Sequence, residues 1–217
     1  MSDILKLLLF STWESLYMVF FSVAIAAFFG IPLGILLFVT DNEQVLENGI
    51  LNATLSWIVN IFRSVPFVIL MIILLPFTRF LLGKAIGTTA AIVPLSIAAI
   101  PLVGRLTESA LREIPKGVLE AALSMGASPY QIITKVLLPE GLPSIASGIT
   151  ITTINLVGYS AMAGVIGGGG LGHVAVRYGY NAFRPDIMLY TVAILIVMVQ
   201  LMQMVGDAFI KHLSKNR

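Results

Sequence analysis

Long charge-free runs alternate along this chain with short clusters of charge. Residues 15–40 carry no Asp, Glu, Lys or Arg over 26 positions, residues 85–104 none over 20, and residues 187–206 none over 20. A helix needs about 20 apolar residues to cross a hydrocarbon core of roughly 30 Å, so each run can span. Residues 141–176 are charge-free over 36 positions, and the Gly-rich end after Gly164 reads as an external loop, which leaves one span. Residues 64–78 give only 15. A helix that begins near Leu55, with Arg63 snorkelling to the interface, lengthens this segment enough, and Pro66 is then expected to kink or start a helix. The pattern predicts five spans, near 15–40, 56–81, 86–107, 143–165 and 187–209. No strand-like alternation of about ten residues recurs, which argues against an outer-membrane barrel. The expected fold is all-α and polytopic.

Composition agrees. Of 217 residues, 58% are hydrophobic and 11% charged, with a mean hydropathy of +0.97. A soluble domain carries about a quarter charged residues, so this chain cannot cover itself with polar groups, and the same numbers exclude disorder. Thirteen basic and 11 acidic residues leave a net charge of +2, too small and scattered for a nucleic-acid surface. With no cysteine there are no disulfides, thiolate metal sites or cysteine nucleophiles. The first charges, Asp3, Lys6 and Glu14, do not make a basic leader, so neither a cleaved signal nor a soluble domain at either end is expected.

Five spans place the termini on opposite sides. With the N-terminus outside, Arg63, Arg105, Arg112, Lys116, Lys135, Lys211, Lys215 and Arg217 fall inside, and Lys6, Arg79, Lys84, Arg177 and Arg184 outside. Eight against five favours N-out and C-in in an inner (plasma) membrane, although the acidic 41–47 loop adds no Lys or Arg to the inner face.

The connection 111–142 is too charged for the bilayer and too apolar for a simple solvated loop. Pro115 fits a first helical position, and a helix through Lys116-Gly-Val-Leu-Glu-Ala-Ala-Leu-Ser-Met125 follows, stopped by a left-handed Gly126. Ser128-Pro-Tyr-Gln131 matches a capping box and opens a second helix, expected to end around Pro139-Glu140. Two short helices at a glycine elbow would present a knob of Ala121, Ala122, Leu123, Met125 and Ala127 beside Glu120. Exposed apolar residues of this kind imply a partner that covers them. The alternative is an amphipathic helix lying on the lipid surface.

Glu120-Ala-Ala-x-x-x-Gly126, then nine residues, then Val136-x-Leu-Pro139 resembles the EAA signature of ABC-importer permeases, with Val136 where that family usually has Ile. Asn60-Ile-Phe-Arg-Ser-Val-Pro-Phe67, Val157-Gly-Tyr-Ser-Ala-Met-Ala-Gly164 and Gly168-Gly-Gly-Leu-Gly172 are similar to the methionine-import branch of the binding-protein-dependent type I class. The resemblance implies a type I transmembrane domain over residues 13–205 and a cytoplasmic coupling helix between the third and fourth spans. It also implies that Glu120, Ala121, Ala122, Met125, Gly126 and Pro139 engage an ATPase. Implied partners are a second copy of the chain, two ATP-binding subunits that hold the ATP and Mg, a periplasmic or lipid-anchored substrate-binding protein, and membrane lipid. The implied function is import of an amino acid, D- or L-methionine. The cargo follows from the resemblance alone, because nine methionines in an apolar chain are ordinary packing residues.

Other motif-like features dissolve in context. Gly167-x-Gly169-x-x-Gly172 lacks the βαβ surroundings of a dinucleotide loop, and Gly83-Lys84 lacks the upstream glycine of a phosphate loop. The chain is therefore expected to have no catalytic residues, no cofactor and no ATPase of its own. His173 and His212 have no partner at metal spacing, so no metal site is expected, and Asn52-Ala-Thr54 is a glycosylation triplet only in a secretory lumen. The fourth span carries Thr150, Thr152, Thr153, Asn155, Tyr159 and Ser160 and ends near Met162. These side chains serve either interhelical hydrogen bonding and packing or a weakly polar gate at a dimer axis, with Tyr159, Ser160 and Met162 as its candidates. Three other functions stay open: a permease for another amino acid or small polar solute, an ATP-independent channel or secondary transporter, and a scaffolding subunit. Span centres poor in ionisable groups, and the glycine elbow, speak against the last two.

Overall fold

The computed structural model describes residues 2–215; Arg217 of the charge count lies outside them. The described residues are helical throughout, joined by short turns. Helix α1 covers Ser2–Val39, α2 Gly49–Ser64, α3 Phe67–Leu82, α4 Thr88–Arg112, α5 Lys116–Ser124, α6 Pro129–Ile132, α7 Leu138–Ala163, α8 Gly170–Val174 and α9 Pro185–Lys215. Wider π-helical turns fill Ile133–Leu137, Gly164–Gly168 and Ala175–Tyr180. Among the described residues, four helical stretches are long and apolar enough to cross a membrane: Asp3–Val39, Thr88–Arg112, Pro129–Gly168 and Pro185–Ser214. The α2–α3 pair adds a fifth if the two count as one span.

Four features depart from the sequence reading. First, α1 begins well before residue 15. Asp3, Lys6 and Glu14 interrupt the charge-free run without interrupting the helix, because Leu8, with Ile4 and Leu7, packs on Val174 and Ile187. Second, the expected helix 56–81 is broken by 106°. Val65 is extended (φ −83°, ψ 124°), as a residue before proline prefers, and Pro66 becomes the cap of α3. The reading of Pro66 as a kink or helix start holds, and the segment is two helices at an angle instead of one continuous helix. Third, the helix opened by Ser128 does not end at Pro139-Glu140. It passes through a π turn, closed by Leu138 N–H donating to Ile133 O, and continues as α7. The widened turn shifts the carbonyl that a proline ring would strike, so Pro139 is carried at the start of α7. Fourth, the Gly-rich segment is a packed reversal instead of a loose loop. Gly167, Gly169 and Gly170 have φ of 94°, 80° and 73°, a region that L side chains rarely adopt, and Leu171 is fully buried.

The core lies where α1 crosses α4 and α7. Met18, Val19 and Ala26 meet Leu95, Ala99 and Val103, with Leu156 and Val157 from α7 and Met198 from α9. Gly30 and Gly34 allow the α1 and α4 backbones close approach: a Cβ on Gly34 would strike Gly104 O and Thr107. Small residues at such crossings are how membrane helices pack. One end of the bundle gathers residues 40–48 and the α4–α6 connection. The other gathers Glu14, Thr88 and the glycine reversal, where Gly87 N–H donates to Gly167 O at 3.1 Å.

Candidate coupling loop and membrane cavity

The elbow between α5 and α6 is built locally. Gly126 has φ +77° with no atom near an added Cβ, so backbone conformation alone demands glycine there. Ala127 N–H donates to Ala122 O at 3.1 Å, a six-to-one closure of the Schellman kind. Ser128 Oγ accepts from Gln131 N–H at 3.4 Å, and Ser128 N–H donates to Gln131 Oε1 at 2.8 Å, completing the capping box. Pro115 stands at the cap position of α5, one residue before the expected place.

The two faces of this loop differ. Ala122, expected on the knob's contact face, points inward and packs with Leu111, Ile132, Leu137 and Ile145. Glu120, Ala121, Met125 and Tyr130 face outward, and Met125 is 81% exposed. Pro139 and Glu140 are exposed at the start of α7. The loop thus has an apolar keel seated on α4 and α7 and an uncovered outer face.

A chain of charges braces it from below. Glu108 is 5% exposed; its Oε2 accepts from Arg105 Nη1 at 2.7 Å and its Oε1 from Arg112 Nη2 at 2.8 Å. Arg112 Nη2 also donates to Asp41 Oδ2 at 2.6 Å, and Arg105 Nη2 to Asn60 Oδ1 on α2 at 3.1 Å. Lys116, the first residue of α5, lies 3.5 Å from Glu43. Burial alone would raise the Asp41 pKa. Hydrogen bonds from the Asn42 backbone and the Arg112 guanidinium, with the Arg112 charge, outweigh it and hold the carboxyl below its ordinary value. Arg105-x-x-Glu108-x-x-x-Arg112 has the i, i+3 and i, i+4 spacings that bring charges together on a helix, a signal the sequence reading passed over.

The second feature is a cavity of about 240 Å³ at the α2–α3 break, lined in part by Arg63, Phe67, Ala98, Asn155 and Tyr159. Phe67 and Tyr159 stack at 4.6 Å with rings 3° from parallel. Of the three gate candidates in the fourth span, Tyr159 reaches this cavity. Ser160 does not: it is 1% exposed and its hydroxyl donates to Val157 O at 2.8 Å. Met162 is 45% exposed and lies outside the cavity lining. Thr150, Thr152 and Thr153 donate to the carbonyls of Ala146, Gly148 and Ile149 on their own helix, so they do not make the expected interhelical bonds. Arg63, in the last turn of α2, is exposed and lines the same cavity as the exposed Asn155. A larger groove of about 750 Å³, lined by Trp13, Tyr17, Phe20 and Met202 among others, is almost wholly apolar and lacks convergent polar groups, so the smaller cavity is the better candidate for a polar solute.

At the opposite end Glu14 clasps three elements. Its Oε1 accepts from Thr88 Oγ1 and its Oε2 from Gly170 N–H, both at 2.8 Å, while Ser15 Oγ accepts from Leu171 N–H at 2.9 Å.

Apolar helices long enough to span, a bent helix pair and a two-helix loop at one end fit a polytopic helical membrane protein. Residues 30–217 match the family described as binding-protein-dependent transport system inner membrane component, and the chain belongs to that family. It is 56% identical over 208 residues to the probable D-methionine transport system permease protein MetI of Vibrio cholerae, covering 96% of this chain and 92% of that protein. It is 44% identical to the methionine import system permease protein MetP of Bacillus subtilis, covering 94% and 92%. An inward-facing structure of the MetNI methionine ABC transporter is similar at a TM-score of 0.97 and 46% identity, covering 98% of this chain and 99% of that one. A structure of an amino acid ABC transporter with histidines shares the fold, at a TM-score of 0.79 and 20% identity.

Proposed function

We propose that this chain is the membrane-spanning subunit of an ATP-driven importer that carries methionine, D- and L-, across the inner membrane. The observation that carries the mechanism is the two-sided loop, keyed into α4 and α7 by Ala122, Ile132 and Leu137 while Glu120, Leu123 and Met125 stay uncovered. Because α6 runs without a break into α7, a push on the outer face of the loop is delivered along a continuous helical stretch, Pro129–Gly168, to the level of Asn155 and Tyr159. Family membership and the names of the relatives support the cargo and the division of labour, in which a separate subunit binds ATP and Mg and hydrolyses ATP.

In this reading the type I domain covers residues 13–205, the bent pair counts as one span to make five, and the N-terminus lies outside with the loop and C-terminus in the cytoplasm. Two copies pack about a two-fold axis, the commonest closed symmetry. Two ATPase subunits dock on Glu120, Ala121, Met125, Gly126 and Pro139, Ala122 supports them from beneath, and a substrate-binding protein delivers cargo to the outer face. The lipid-exposed aromatics of α1, such as Phe20 and Phe28, suit the bilayer. The test is uptake of labelled methionine into vesicles holding permease, ATPase and binding protein. ATP-dependent accumulation that needs all three supports the reading; accumulation without the ATPase, or a functional complex with one permease copy, overturns it.

A further inference from the structure

Three polar side chains line the cavity at the α2–α3 break, Arg63 and Asn155 exposed and Tyr159 half-buried, and none has a hydrogen bond among the described residues. Arg105, Arg112 and Arg184 each donate to a carboxylate at 2.6–2.7 Å. Arg63 has no such partner among the described residues, and the Asn155 amide and Tyr159 hydroxyl on the same cavity have none either. We propose that Arg63, with Asn155 and Tyr159, forms a station that holds the carboxylate of the transported amino acid within the membrane. This deepens the functional reading above and rests on it.

Depth is the first argument. In the topology proposed above, with the outer bilayer face at the glycine reversal, Asn155 comes twelve residues before Gly167, about 18 Å in at 1.5 Å per residue and toward the middle of a hydrocarbon core of roughly 30 Å. A guanidinium at that level is costly unless it faces water or an anion, and an intramembrane ionisable group marks a solute path. The cavity lining contains no Asp or Glu, so the charge is not neutralised from within.

The lining also states what fits. A cation beside an amide and a phenol suits a carboxylate, which takes paired donors from a guanidinium. Phe67, Leu70 and Leu102 supply an apolar wall for an uncharged side chain. About 240 Å³ is below the roughly 300–1,000 Å³ of pockets for drug-sized ligands and suits a single amino acid. The α2–α3 break puts the start of α3 at the same place, as in transporters whose interrupted helices aim at anionic groups. Arg63 lies on α2, whose Asn60 accepts from Arg105. The station is thereby tied through Glu108 and Arg112 to the loop end.

A carboxylate or phosphate on a lipid headgroup offers the same chemistry, so the experiment separates the two sources. The complete complex is reconstituted in vesicles of purely zwitterionic lipid and, separately, with anionic lipid added. Methionine imported per ATP hydrolysed is measured for wild type, Arg63→Gln, Arg63→Lys and Asn155→Leu. The expected result in both lipids is a ratio lowered about tenfold or more by Arg63→Gln, the order expected for a lost charge-assisted bond, with an intermediate value for Arg63→Lys and a smaller loss for Asn155→Leu. A wild-type ratio for Arg63→Gln overturns the proposal. So does a parallel fall of uptake and hydrolysis that leaves the ratio unchanged, the mark of a merely structural arginine, or a defect confined to anionic lipid. A wild-type complex that imports no methionine sinks the functional reading instead.

Discussion

Arg112 donates to Asp41 at 2.6 Å, joining the end of α4 to the turn after α1 across 71 residues of sequence. The same guanidinium donates to buried Glu108, so the helix that leads into the two-helix loop is fixed to its neighbour just before the chain leaves the bundle. The loop therefore has a firm base on one side and an open face on the other.

This pair responds to acid in a definite direction. Asp41 has a pKa below its ordinary 3.8, so its contribution is fully present above that value and is lost as pH falls through the depressed folded value. Thermal stability of wild type minus that of Asp41→Asn is expected to be constant near neutral pH and to close below about pH 4. The gap will be small, since the Arg112 side chain is half exposed. A gap that widens on acidification contradicts the assignment.

Glu108→Gln removes the only acid between Arg105 and Arg112 and leaves two guanidinia facing a neutral amide. A loss of about 1.5–3 kcal/mol is expected for a hydrogen bond to a charged group. A double-mutant cycle with Arg105, read from heat-induced aggregation in detergent, should return a coupling of the same sign; additive effects would place the two residues out of contact.

Gly126→Val separates conformation from contact. Nothing lies within 4 Å of an added Cβ, so the variant should insert and accumulate normally. The left-handed backbone costs a β-branched residue about 1–2 kcal/mol, which should reorient the outer face and cut uptake and ATPase association. Gly126→Asn, which tolerates this conformation, should recover much of both. Equal activity for all three proteins would remove the elbow from the mechanism.

Ala122→Asp acts from beneath the loop. At 4% exposure a carboxylate there has no partner, and burying it should loosen the keel before any partner is engaged. Limited proteolysis of the permease without its ATPase should cut the 116–128 region faster than in wild type. Protection equal to wild type would return Ala122 to the outer face.

Sidedness can be read with single cysteines, because the chain has none of its own. Ser128→Cys should be labelled only from the cytoplasm. Gly170 is a poor reporter for the other face, since it is buried with φ +73° and an added Cβ would lie 2.6 Å from Ser15 Oγ. Phe183, 88% exposed, serves instead and should be labelled only from outside. Reversed labelling would invert the topology.

What the sequence determined by itself was local. Most of each charge-free run is helical, Gly126 is left-handed and Ser128–Gln131 closes its box, because each depends on residues within a few positions and on backbone preferences that neighbours cannot easily override. Even Pro66 announced a break, though not its 106°. Tertiary structure decided the rest. Spacing cannot reveal that Ala122 faces inward, that Asn155 and Tyr159 share a cavity with Arg63, or that Glu14 holds Gly170 from 156 residues away. Those outcomes follow from how helices rotate about their axes when apolar faces and glycine crossings pack. They depend on the whole bundle, because each helix is apolar on several sides and only its neighbours select which side is buried.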